Sequence, residues 1–95
     1  MRHYIRIATK RFRKDLRRLK KAGYALEKLE QVINLLASDG ILPEYYRDHP
    51  LRGKFSGSRE CHIGPDWLLR YTKDGERLIL VLISTGTHRD VLEME

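Results

Sequence analysis

The sequence predicts an α+β domain of order βααβββ, two helices packed on one antiparallel sheet, and three observations carry that prediction. Between Thr9 and Gly40 apolar side chains recur twice at spacings of three and four, each run closed by a glycine. From Ser58 onward the pattern changes to short alternating or wholly apolar runs. Glycine, proline and aspartate separate those runs, as turns between strands require.

The elements follow in order. Tyr4 to Ala8 alternates, with Ile5 and Ile7 facing together, and reads as an edge or near-edge strand. Thr9 is placed to cap a helix whose stripe is Phe12, Leu16 and Leu19, with Gly23 as its stop. Leu26, Leu29, Ile33 and Leu36, flanked by Val32 and Ala37, form a second stripe that ends at Gly40. A short turn joins the two helices, so both stripes cover one sheet face. Ile41-Leu42-Pro43 breaks the period, and residues 44–57 form a polar, aromatic connection long enough for a small fold to imply a use. Ser58 to Ile63 is the next strand, with Cys61 and Ile63 toward the core and Glu60 and His62 on the other face. After Gly64-Pro65-Asp66, Trp67 to Thr72 returns, and Asp74-Gly75 signals a two-residue hairpin. Leu78 to Ile83 is apolar throughout, which fits a central strand covered on both faces. Ser84 to His88 and a short polar tail complete the chain, with room for one helical turn.

Length and charge bound the function. Ninety-five residues suffice for one core, so a single domain over 1–95 is expected. Hydrophobic residues at 41% in clear periods argue against disorder. No apolar run is long enough to span a bilayer, no signal-type apolar segment follows Met1, and the lone Cys61 forms no internal disulfide. The expectation is a cytoplasmic protein without membrane contact. The charge is lopsided: residues 1–23 hold ten Lys/Arg against Asp15 alone, the remainder nine against twelve acids. A basic helix face with so little internal relief costs stability unless an anion meets it. Arg13, Arg17 and Lys20 are therefore candidate contacts to RNA or an acidic partner, beside the plainer reading of a solvated face.

The chemistry centres on Cys61-His62-Ile63-Gly64-Pro65-Asp66-Trp67. Its turn brings His62 and Asp66 onto neighbouring strands, while His49 follows a polar loop and His88 follows a strand end. These four residues are the candidate acid/base site. Each also has an ordinary reading, a solvated loop histidine or an aspartate capping its turn. Arg52, Lys54, Arg59 and Arg70 are candidate charge stabilisers, with Arg59 facing away from His62 unless the strand start is bulged. Trp67 belongs in or beside the core, base stacking being the lesser reading. A zinc site from His49, Cys61, His62 and His88 suits the ligand chemistry but is disfavoured, because alternation sends Cys61 and His62 to opposite faces.

Asp48-His49-Pro50-Leu51, Glu60-Cys61-His62-Ile63-Gly64-Pro65-Asp66-Trp67 and Thr85-Gly86-Thr87-His88, in this order on a basic chain, resemble the YafQ branch of the RelE-like toxins of type II toxin–antitoxin modules. The resemblance covers essentially the whole chain. It implies the RelE-like βααβββ fold and an endoribonuclease that cuts messenger RNA in the ribosomal A site without a metal or other cofactor. It also implies a cognate antitoxin, the 70S ribosome and mRNA as partners, with operator DNA contacted only as a complex with the antitoxin. Carried over by position, the catalytic residues are His49, His62, Asp66 and His88; the chemistry of RNA cleavage suggests His88 as the leading proton-transfer residue, His49 and His62 sharing the other roles, and Asp66 orienting a histidine. The chain departs from the family at Leu92, where the branch usually has an aromatic residue. That departure keeps a non-catalytic RNA-binding or antitoxin-binding co-repressor module as the alternative.

Overall fold

Thr9 has an extended backbone, and its Oγ1 accepts the Phe12 N–H at 3.0 Å while donating to Ile83 O at 2.7 Å. This single residue ends β1 (Ile5–Ala8), starts α1 (Lys10–Lys21) and ties both to the last strand. In the computed structural model, which describes residues 2–92, the chain continues through α2 (Leu26–Ala37), β2 (His49–Pro50), β3 (Arg59–Gly64), β4 (Trp67–Asp74), β5 (Ile79–Gly86) and α3 (His88–Leu92). The strands form one sheet in the order β1-β5-β4-β3-β2.

The two helical stripes act as their spacing predicts. Phe12 and Leu19 from α1, and Leu29, Val32, Ile33 and Leu36 from α2, are buried in one cluster with Cys61, Leu69, Tyr71, Leu80 and Leu82 of the sheet. The helices thus cover one face, and the α+β architecture is as expected. None of the described helices is long and apolar enough to cross a membrane.

Five details differ from the sequence-based expectations. The sheet is not wholly antiparallel: β1 pairs in parallel with β5, the two being separated in sequence by the helical hairpin and then by β2, β3 and β4. Tyr4, buried just before β1, and Arg6 of β1, bonded to Glu30 of α2 at 2.9 Å, serve the helix side, leaving Ile5 and Ile7 65% and 45% exposed. β5 is central, between β1 and β4, but only its helix face is closed; Leu80 and Leu82 are buried while Ile79, Val81 and Ile83 are half-buried. The β4–β5 hairpin uses four residues, since Asp74 pairs with Ile79 and its Oδ1 accepts the Glu76 and Arg77 N–H groups at 3.0 and 3.1 Å. The long connection also contributes β2, which pairs His49 with Glu60, through two 3-10 turns at Glu44–Tyr46 and Gly53–Phe55.

Asp15, the one acid of the basic helix, faces inward. It is 6% exposed, accepts the Thr85 N–H at 3.1 Å through Oδ2 and meets Arg18 Nη1 at 3.1 Å through Oδ1. Arg18 continues to Asp90 of α3 at 3.4 Å. Gly86 lies beneath that guanidinium with φ +151°, a backbone conformation that L side chains rarely adopt, so a substitution here is strained. Asp15→Ala strands a buried Thr85 N–H, and urea unfolding is expected to show a loss of about 1–3 kcal/mol with an unchanged m-value. An undiminished midpoint would show that α1 does not hold β5 through this bond.

Candidate active site

The strand registers assemble the site on the sheet face turned away from α1 and α2. His49 pairs with Glu60, Glu60 with Arg70, and His62 with Leu68, so His49, Glu60, His62 and Arg70 share that face. The turn after Gly64 carries Asp66, and the end of β5 delivers His88 as the first residue of α3. Asp66 Oδ1 accepts both the His88 backbone N–H at 2.9 Å and its ring Nδ1 at 2.6 Å. A carboxylate only accepts, so Nδ1 carries the proton and Nε2 is the working atom. The two bonds from His88, the backbone one first, hold the Asp66 carboxyl below the usual carboxylate range. The His88 ring lies 5.5 Å from that of His62, and His62 lies 6.2 Å from His49.

Glu60 completes the group, although it was not among the residues expected to act. It is 5% exposed, with Oε1 2.9 Å from His49 Nε2 and 3.8 Å from His62 Nε2. Strand alternation placed it on the His62 face, which was the signal available; a lone glutamate beside a histidine carried no other mark. His49 Nδ1 lies 3.1 Å from Pro50 O, so both its ring nitrogens have oxygen neighbours that fix the ring's orientation. Glu60 Oε2 and His62 Nδ1 are buried with no partner among the described residues. Such orphaned polar atoms are costly in a finished core and common where a ligand completes the bonding. Burial, and then the nearby Arg47 charge, push the His62 imidazole below its ordinary value, so it stays neutral to lower pH.

Asp48 positions His49 from behind. Its carboxylate accepts Tyr71 Oη–H at 2.5 Å and Arg59 Nη2 and Nε at 3.3 and 3.4 Å, which locks the connection to β3 and β4. Burial and this carboxylate raise the Tyr71 phenol, keeping it a donor.

Several expected residues lie elsewhere. Arg59 pairs with Tyr71, on the core side of β3, and is engaged by Asp48 there, so it does not reach the histidines. Trp67 is 7% exposed, donates Nε1–H to Thr85 Oγ1 at 2.9 Å and meets Tyr24 edge-on at 5.0 Å; the indole has no open face for a base. Arg13, Arg17 and Lys20 are exposed on α1, across the sheet from the histidines. Arg70 is in place, its guanidinium 4.2 Å from the Phe55 ring, which also carries Lys54 Nζ at 5.2 Å. Arg52 is exposed just before the second 3-10 turn. Leu92 is half-buried at the end of α3, next to the buried Val91.

The metal grouping weighed from sequence also changes. Cys61 is fully buried on the core face and its thiol is pushed up to about 12, chiefly by burial, so it is no ligand. Among the described residues, the atoms that converge, within 4.8 Å of one another, belong to His49, Glu60 and His62.

Comparison with known proteins agrees in both sequence and shape. The family model of the bacterial toxin of type II toxin–antitoxin systems, YafQ, matches residues 5–93. The mRNA interferase toxin YafQ of Escherichia coli K12 is 36% identical over 78 residues, which covers 81% of this chain and 83% of that protein. A toxin in the E. coli DinJ–YafQ complex superposes with a TM-score of 0.84 at 31% identity over 93% of this chain and 97% of that one. A metal-bound toxin from Helicobacter pylori gives 0.84 at 38% identity over 94% and 98%.

The burial of His62 is directly measurable. NMR titration of the imidazole protons is expected to place its midpoint below the unperturbed value of about 6.5, and Arg47→Gln to move it upward. A midpoint at or above 6.5 in the wild type would contradict the desolvated, cation-flanked environment.

Proposed function

Because the chain belongs to the YafQ family of bacterial toxins of type II toxin–antitoxin systems, we propose that it is an endoribonuclease that cuts messenger RNA on the ribosome by acid/base catalysis through the RNA's own 2′-OH. The observation that carries this reading is the Asp66–His88 pair, 2.6 Å apart, facing His62 across 5.5 Å. An acid and a base at that separation bracket one phosphodiester.

The roles follow from the environments. His62, kept neutral by burial, takes the 2′-OH proton as the 2′-oxygen attacks phosphorus. His88 donates its Nε2 proton to the departing 5′-oxygen, while Asp66 fixes the ring and stabilises the imidazolium. Arg70, steadied by Phe55, supplies positive charge for the phosphorane oxygens, and His49, held by Glu60, flanks the same groove. The products are a 2′,3′-cyclic phosphate and a free 5′-hydroxyl, with translation halted at the cut message. A cognate antitoxin is the natural partner, in keeping with the DinJ–YafQ pairing, and any operator DNA is met only through it.

A transition metal would be a competitor here. The trio His49, Glu60 and His62 has the imidazole and carboxylate donors that zinc or copper favours, but its coordination would take up the lone pair His62 needs as base.

Mapping of 5′ ends on a reporter message translated in a purified system is expected to show cuts that need ribosomes. In His88→Ala these fall by about 10²–10⁴, while the protein remains folded. No cuts from the folded wild type would favour the non-catalytic module. The acid limb of the rate is expected to have its midpoint below about 6.5, since the base is needed unprotonated and burial lowers its pKa. A chelator that removes zinc and copper but spares magnesium is expected to leave the rate unchanged or raise it; a loss would point to a required metal. Ribosome binding is expected to weaken steeply between low and moderate salt, and further in Arg13→Glu and Arg17→Glu, as phosphate contacts release counterions. Salt-insensitive binding would remove α1 as the docking surface.

A further inference from the structure

Beyond the histidine groove, and sharing only His62 with it, lies a cleft of about 550 Å³ between α2, the first 3-10 turn and the end of β3. Its size is that of a small-ligand site. The residues that give it chemistry are Lys28 and Gln31 from α2, and Tyr45, Tyr46 and Arg47 from the turn. None of these figured among the expected functional residues.

Three observations point to an occupant. Tyr45 is 72% exposed, a large ring held in water, while its neighbour Tyr46 is anchored against the core with ring centroids 4.5 Å apart. An exposed ring stiffened from behind is a stacking platform. Arg47 has φ +47° and ψ +49°, a left-handed conformation that a non-glycine residue adopts at a cost, held by its N–H to Glu44 O at 2.8 Å. That kink ends the turn and leaves Arg47 exposed in the wall of the cleft beside His62. Gln31 carries both a donor and an acceptor, which lets one side chain read a base edge, and Lys28 adds a cation for the phosphate.

Resting on the nuclease reading above, we infer that this cleft binds the base of the nucleotide adjoining the scissile phosphate, stacked on Tyr45, with Gln31 reading its edge. The shared wall decides the position: a single strand whose phosphate lies over His62 has a neighbouring base within reach of the cleft. Arg47 and Lys28 then hold the flanking phosphate. The cleft sets which base stands beside the cut, while the histidine groove performs the cut itself.

The test uses ribosomes programmed with a synthetic message whose A-site nucleotides are replaced, one at a time, by abasic residues. Single-turnover cleavage is measured for wild type, Tyr45→Phe and Tyr45→Ala. On the intact message Tyr45→Ala is expected to cut about tenfold more slowly at subsaturating protein, with Tyr45→Phe close to wild type. One abasic position is expected to slow the wild type by a similar factor and to slow Tyr45→Ala no further. Gln31→Ala is expected to flatten the base preference at that position. If Tyr45→Ala matches wild type, or its loss multiplies with every abasic loss, the cleft is not a base site, although the nuclease stands. If the wild type cuts nothing, the nuclease reading falls and this assignment falls with it.

Discussion

Thr85 is the residue on which the geometry of the site depends. Its N–H goes to the buried Asp15 carboxylate of α1, its hydroxyl donates to Leu68 O at 2.7 Å, and the same oxygen accepts Trp67 Nε1–H at 2.9 Å. One residue thus ties the helix layer, β4 and β5 together at the point where β5 ends. Three residues later the chain reaches His88, with glycine between them at a φ that L side chains rarely adopt. Because each of these bonds is buried, losing one leaves a polar group unsatisfied, and the position of His88 is held by that penalty. Asp66, from the β3–β4 turn, then closes the other side.

The same arrangement separates two electrostatic surfaces. Arg11 and Arg18 of α1 are absorbed by Asp15 and Asp90, Arg11 also bonding to the Asp90 carbonyl, and so serve the fold. Arg13, Arg17 and Lys20 stay exposed on the outer side of the helix. The histidines occupy the opposite sheet face, where Glu60 and Asp66 stand in close pairs with His49 and His88, while Asp48 is taken up by Tyr71 and Arg59. The cations Arg13, Arg17 and Lys20 thus lie on one side of the sheet and the histidine–carboxylate pairs on the other. This explains why the net charge suggests a partner while saying little about where the chemistry lies.

The sequence made the layers legible because apolar spacing is imposed by burial: Phe12 to Leu36 could only serve a helix face, and Cys61 to Leu82 a sheet. It made His49, His62, Asp66 and His88 legible through their place in three motifs, and the structure draws them into one groove. What escaped was set by long-range pairing. Parallel β1–β5 pairing joins residues some seventy positions apart, and no local pattern records direction. Glu60 acquires its role only when β2 brings His49 opposite it, and β2 is two residues long. Arg59 and Trp67 bear side chains that often contact RNA, yet Asp48 and Thr85 claim them for the fold. Asp15 read as charge relief on a basic face, whereas its carboxylate is buried at the heart of the α1–β5 contact.

If His88, aligned by Asp66, protonates the departing 5′-oxygen, a leaving group that needs no proton must rescue its loss. The most direct measurement replaces that oxygen with sulfur in a synthetic message, a 5′-phosphorothiolate at the cleavage position, and compares wild type with His88→Ala on programmed ribosomes. A thiolate leaves without a proton, so the variant, slowed by about 10²–10⁴ on the oxygen substrate, is expected to cut the sulfur substrate at close to the wild-type rate. If His88→Ala remains as slow on sulfur as on oxygen, His88 is not the general acid.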